Sequence, residues 1–219
     1  KCKFVSKYSD NLYTIDYGNS KKEYVTNFGH IIKQESPFNN NVIIANNYFK
    51  RNLYGLLNSE YLAISAFKYT NINFFSESAA KVMANEKIGI ITYSNQQKRF
   101  VDLIPCIYDR IQPINNRYYL VNNDGRYGII ETTDIDKINP YWETKDKFAE
   151  VVPCIYEQIS LLQNEYYIVQ NDGKFGLIRI KPYNDTEKQL FSVIIPCIYE
   201  SIQHISEKYF IVKQESKYG

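Results

Sequence analysis

Three stretches of the chain are apolar at successive positions: "YYLV" at Tyr118–Val121, "YYIV" at Tyr166–Val169 and "YFIV" at Tyr209–Val212. A strand with one wet face alternates apolar and polar residues, so these runs predict strands covered on both faces. Polar residues and then an aromatic-Gly-apolar run follow them. "EYYIVQ", "NDG" and "KFGLIRI" predict a hairpin of Glu165–Gln170 and Lys174–Ile180. Its turn is Asp172–Gly173, where glycine reaches positive φ without steric cost. "NNDGRYG" predicts the same around Asp124–Gly125. "VVPC" predicts a short strand ended by Pro153, which has no N–H for a ladder. "YEQISLL" predicts the next strand, with Ile159 and Leu161 on one face. The pattern gives about four short strands per unit and no helix. Ser76–Lys87 reads as helical in isolation, but its place in the repeat predicts a strand and a turn.

The runs belong to a longer phrase. "IPCIYDRIQPINNRYYLVNNDGRYG" (Ile104–Gly128), "VPCIYEQISLLQNEYYIVQNDGKFG" (Val152–Gly176) and "IPCIYESIQHISEKYFIVKQESKYG" (Ile195–Gly219) are near copies. Pro105 to Gly128, Pro153 to Gly176 and Pro196 to Gly219 each span 23 residues. Ala66 to Gly89 also spans 23, with Tyr69 and Ile72 in the slots of Tyr108 and Ile111. Tyr54–Gly55 repeats the aromatic-Gly pair, and "NNVIIANN" stands where the doubled-tyrosine strand is expected. "CKFVSKYSDNLYTIDYG" reads as a further half phrase, with Tyr13 in the glycine slot.

Gly55, Gly89, Gly128, Gly176 and Gly219 mark five units, spaced by 34, 39, 48 and 43 residues. Such periods indicate repeat arrays. The expected organisation is one β-repeat domain over 1–219. Its units are approximately 1–55, 56–89, 90–128, 129–176 and 177–219. The sequence opens without Met and stops inside the phrase, so the natural protein is expected to continue past both ends. Face-to-face stacking would cover both sides of each small sheet, so the expected fold is all-β with β-propeller-like blades. An open β-solenoid or twisted repeat array is the alternative.

The phrase resembles the WG-containing repeat family of bacterial proteins. That family reads Gly-Lys-Trp-Gly, an apolar pair, then Ile-Pro-Pro-x-Tyr-Asp/Glu and a short apolar strand. Tyr54, Tyr127, Phe175 and Tyr218 stand at the tryptophan position, with Ile88 the poorest match. Pro105, Pro153 and Pro196 match the first proline, and cysteine replaces the second. Tyr108–Asp109, Tyr156–Glu157 and Tyr199–Glu200 match the Tyr-acid pair. The resemblance covers 104–219 most closely and 53–103 less so. It implies a β-repeat array with interaction or cell-envelope roles, in the envelope or the cytoplasm, and no catalytic residues. Physically, the aromatic is expected to fill a core gap while its glycine admits a neighbouring backbone.

Composition narrows the functional classes. Hydrophobic residues make up 44% and charged residues 23% of the 219, as in folded globular domains. Aromatic content reaches 16%, with 21 tyrosines. A net charge of +2 is too small for nucleic acid to be the expected partner. No apolar run approaches the length of a membrane span. Cys106, Cys154 and Cys197 share one slot and read as small buried apolar residues. Cys2 lies outside the pattern, and a lipid anchor there would be decided by residues preceding it.

The search for chemistry returns little. His30 and His204 lie in different slots, and neither has a nucleophile and acid nearby in sequence. No cysteine or histidine spacing fits a metal. "DIDKIN" (Asp134–Asn139) lacks the glycine and closing glutamate of a calcium loop. Asp109, Glu157 and Glu200 recur at one slot, and turn or inter-unit hydrogen bonding explains them better than glycoside hydrolysis. The expectation is a non-enzymatic protein without cofactor or metal.

Recognition is expected in the variable segments between the glycine strand and the next proline. Glu131–Glu150 is the longest, with six acids, three bases and the only tryptophan. Its Tyr141 and Trp142, with Tyr183 of Lys181–Phe191, are the candidate contacts. Loop aromatics suit a protein partner, with a glycan as the alternative. Immunity- or effector-associated recognition is a further alternative.

Overall fold

The computed structural model describes residues 4–18, 22–35, 41–47, 52–133, 147–163, 165–180, 190–206 and 209–219. They fold as an all-β chain of five antiparallel sheets. The first sheet comprises β1 (Phe4–Ser9), β2 (Leu12–Asp16), β3 (Lys22–Thr26), β4 (His30–Glu35), β5 (Val42–Asn47) and β6 (Tyr54–Asn58) in sequential order. The second comprises β7 (Asn71–Phe74), β8 (Ala79–Ala84), β9 (Lys87–Ser94) and β10 (Arg99–Tyr108). The third comprises β11 (Arg110–Pro113), β12 (Tyr118–Asn123), β13 (Arg126–Thr132) and β14 (Phe148–Tyr156). The fourth comprises β15 (Gln158–Gln163), β16 (Tyr166–Asn171), β17 (Lys174–Ile180) and β18 (Phe191–Tyr199). The fifth comprises β19 (Ser201–Ser206), β20 (Tyr209–Gln214) and β21 (Lys217–Tyr218).

Each sheet is an up-and-down meander, and the repeated four-stranded form is that of propeller blades. Pairing runs between sequence neighbours within a sheet, unlike the coil-to-coil pairing of a solenoid. The chain divides into two compact units, one on residues 1–107 and one on 108–133 with 148–219. Sheets change over directly after the tyrosine of each Pro-Cys-Ile-Tyr, so one 23-residue phrase begins in one sheet and ends in the next.

The hairpins follow the turn chemistry. β16 and β17 pair Asn171 with Lys174, leaving Asp172–Gly173 as a two-residue turn with φ of 49° and 70°. Asp124–Gly125 does the same between β12 and β13, at 51° and 79°. Two positive φ values match the right-handed strand twist. The same backbone recurs at Asn85–Glu86 and Glu215–Ser216, where no glycine relieves it. The strand-turn-strand reading of Ser76–Lys87 is what forms, as β8, Asn85–Glu86 and β9.

Burial is sharper than the apolar runs predict. Tyr119, Val121, Tyr167 and Val169 are buried, while Tyr118, Leu120, Tyr166 and Ile168 are half-buried. The glycine strand carries the two-sided burial: Gly128–Thr132 is buried at every position. In the second unit, Ile129, Val152 and Tyr156 share a core with Ile159, Tyr167, Val169 and Ile178 of the following sheet. In the first unit, Val42, Ile44 and Leu56 share a core with Tyr69, Ile72, Phe74, Val82 and Phe100.

Proline does not end its strand. β14 runs through Pro153 and β18 through Pro196. Ile129 pairs with Val152 and Tyr127 with Tyr156, so the three residues Tyr127–Ile129 face the five residues Val152–Tyr156 on β14. Leu177–Ile195 and Phe175–Tyr199 repeat the count on β17 and β18. The proline sits in this bulge on the outermost strand, where a missing N–H disrupts no inner ladder.

Candidate functional site

The bulge explains the glycine. A Cβ on Gly128 would lie 2.5 Å from the Val152 carbonyl oxygen and 2.9 Å from the Cys154 nitrogen. On Gly176 it would lie 2.7 Å from Cys197 Sγ and 2.8 Å from the Ile195 oxygen. On Gly89 it would meet the Ile104 oxygen at 2.6 Å and the Cys106 nitrogen at 2.9 Å. Only a residue without a side chain admits the arching backbone. The glycine of one phrase is therefore cradled by the Pro-Cys of the next. At Gly55 the approaching group is the Phe67 ring, 2.7 Å from the notional Cβ. Phe67 occupies the cysteine slot, counting from Ala66. Gly219 has open space, with Val212 Cγ2 at 4.0 Å.

The flanking aromatics pair across the same strands. Tyr127 faces Tyr156, Phe175 faces Tyr199, and Tyr54 bridges Tyr69. Tyr54, Tyr127 and Phe175 are half-buried and Tyr218 is exposed. Tyr69, Tyr108 and Tyr156 are buried, each beside the cysteine of the following phrase, and Tyr199 is half-buried. Burial, then the Cys154 thiol and Glu150, pushes the Tyr108 phenol up to about 12. Burial, then Asp102, pushes Tyr69 up as well, and its hydroxyl donates to Asp102 at 2.7 Å. Lys68 Nζ closes this network on Asp102 at 2.5 Å. Asp102 lies before the repeated phrase, so no signature singled it out.

Cys106, Cys154 and Cys197 are free and half-buried rather than fully enclosed. Cys106 donates to the Val82 carbonyl and Cys197 to the Val169 carbonyl, both at 3.9 Å. Burial raises the pKa of all three thiols, which holds them protonated and unreactive.

The recurring acids hold the hairpin turns. The Asp124 amide donates to Asp109 at 2.7 Å, and the Gly173 amide donates to Glu157 at 3.2 Å. Lys213 lies 3.7 Å from Glu200. Arg126 reaches from one sheet to the next, donating to Asn171 at 2.9 Å and lying 3.5 Å from Glu157. These geometries spend the carboxylates on backbone and cations. His30 stacks on Phe67 with ring centres 4.3 Å apart, and burial lowers its pKa. His204 lies 3.1 Å from Gln163 Nε2 and beside Phe210. Among the described residues no acid, cysteine and histidine group could hold a metal, and no helix is long and apolar enough to cross a membrane.

One slot of the phrase points outward. Ile107, Ile155 and Ile198 are 46%, 50% and 45% exposed, between a half-buried cysteine and an inward tyrosine. From Val152 to Tyr156 the strand alternates, with Val152 and Tyr156 buried, Cys154 half-buried and Ile155 exposed, so the isoleucine lies on the face turned away from the core. In sequence it is one apolar residue in an apolar run, and nothing there marks it as exposed. Tyr141, Trp142 and Tyr183, with Cys2 and Asp134–Asn139, lie outside the described residues.

Residues 93–127, 146–175 and 189–218 each match the WG containing repeat. No match is found among curated proteins. Among solved structures, the chain is similar to Kluyveromyces lactis Hsv2p at 10% identity and a TM-score of 0.34, covering 90% of this chain and 72% of that one. It is also similar to the N-terminal domain of Nup159 at 13% identity and a TM-score of 0.27, covering 95% and 71%.

Proposed function

Residues 93–218 carry three WG containing repeats, and from that premise we propose that the chain is a non-enzymatic scaffold that binds a protein partner. The observation that supports this is the outward isoleucine, held in water at the same slot of three phrases. Covering a fully exposed isoleucine is worth about 1.5–3 kcal/mol, so a half-exposed one contributes roughly half of that. Rigid sheets that present apolar side chains at fixed positions suit recognition more than chemistry. The carboxylates at the repeated slot are already engaged with turn amides and cations.

Affinity capture from native-host cells tests the reading, with quantitative mass spectrometry as the readout. An Ile155→Asp/Ile198→Asp variant with an unchanged melting temperature should lose a partner that the unaltered chain retains. A parallel Tyr141→Ala/Trp142→Ala variant reads the segment expected from sequence to carry contacts. Equal capture by all three proteins, or turnover in a glycosidase screen, would overturn the proposal.

A further inference from the structure

The first unit contains a cleft of about 450 Å³, in the range of pockets that take a small ligand or one large side chain. Its floor is Val42, Ile64, Tyr93 and Phe100, which belong to or pack on the core. Tyr93 and Phe100 meet edge to face, with ring centres 5.4 Å apart. The rim is polar and carries both signs of charge, with Glu77 and Lys98 exposed. Neither has an ion-pair partner among the described residues, and the Tyr93 hydroxyl has no hydrogen-bond partner among them. Lys98 holds its backbone at φ 53°, in the left-handed region that a non-glycine residue adopts only at a cost. Asn58 uses its side-chain oxygen on the Glu60 and Leu62 amides, which directs its amide nitrogen elsewhere.

We infer that this cleft anchors a large apolar side chain of a partner peptide, while Glu77 and Lys98 select flanking residues of opposite charge. The inference rests on the partner-binding reading and deepens it by naming the chemistry of the bound segment. An apolar floor rewards an aromatic or long aliphatic side chain and offers nothing to a small one. The Tyr93 hydroxyl and the Asn58 amide, both in the lining, are the hydrogen-bonding groups available to the peptide backbone. Rim charges contribute discrimination more than affinity, since both remain in water.

Peptide titrations followed by NMR on the isotope-labelled chain decide it. The probes are Ac-Asp-Phe-Lys-NH2, Ac-Asp-Ala-Lys-NH2, Ac-Ala-Phe-Ala-NH2 and, as a sugar, cellotetraose. The charged phenylalanine peptide should shift the signals of Val42, Ile64, Tyr93 and Phe100. It should bind roughly tenfold more tightly than its alanine counterpart. Its advantage over Ac-Ala-Phe-Ala-NH2 should shrink in Glu77→Gln and Lys98→Gln, which change exposed residues and leave the core intact. Equal binding of the Phe and Ala peptides, shifts confined to other residues, or shifts with cellotetraose alone would overturn the inference. Failure here together with partner loss in the isoleucine variants removes the cleft and leaves the scaffold reading standing.

Discussion

The sheets of the first unit and those of the second reach the same backbone with different residues. In the second unit, Gly128 lies under the Val152 carbonyl and the Cys154 amide. In the first, Gly55 lies under the Phe67 ring, while Gly89 keeps the carbonyl-and-cysteine cradle of Gly128. Asp124–Gly125 makes one hairpin turn, and Asn85–Glu86 makes its counterpart. Tyr108 has Glu150 near its hydroxyl, while Tyr69 holds Asp102 directly. What stays constant is geometric: a strand without a side chain at one point, two positive φ values, and a buried phenol. The repeat is a set of backbone requirements, and residue identity is one of several ways to meet each.

The largest test of that view compares the glycines. Gly128→Ala should cost about 3 kcal/mol in denaturant unfolding, because a backbone carbonyl must move. Gly55→Ala should cost about half as much, since a ring can shift where a ladder cannot. Equal costs would make the two cradles the same structure in energetic terms. Next, Asp102→Ala should destabilise by about 2 kcal/mol, by removing a charged acceptor from a buried hydroxyl. Glu150→Ala should do much less, because Glu150 ranks behind burial and Cys154 at Tyr108.

Alkali sharpens the same contrast. An unfolded tyrosine ionises near pH 10, whereas Tyr108 holds its proton to about 12. Between those values the unfolded chain loses a proton that the folded chain keeps, so stability falls as pH rises through this window. Tyrosinate absorbance should lag behind that of a denatured control, and Asp102→Ala should advance the Tyr69 transition. The smallest effect is at the turns. Glu86→Gly should stabilise by about 1 kcal/mol, and Gly125→Glu should cost about as much, because only glycine takes this φ freely.

Local chemistry was legible and contact across phrases was not. Asp-Gly between two apolar runs is a turn with a mechanism, so the hairpins at Asp124–Gly125 and Asp172–Gly173 formed as read. The glycine's partner could not be read, because Pro153–Cys154 lies 25 residues beyond Gly128, across a segment of variable length. The constant distance of 23 residues joins groups in two different sheets, while the contact that needs glycine spans the inconstant one. A regular ladder excludes proline, so the sequence predicts a stop at Pro153; a bulge on an outer strand accommodates it instead. Ile155 is hidden for a different reason: inside a run of apolar residues nothing in the side chain tells which face it takes, although the strand itself alternates from Val152 to Tyr156.

The bulged outer strand has one more consequence. An edge that shows apolar residues and unpaired backbone groups is a template for another chain, and ordered aggregates grow by that route. β14 and β18 interrupt the template with a residue that cannot donate and a kink that misaligns the rest. The three sheets that carry Ile107, Ile155 or Ile198 on their outer strand thus expose an apolar side chain while discouraging the indiscriminate strand addition from which fibrils grow.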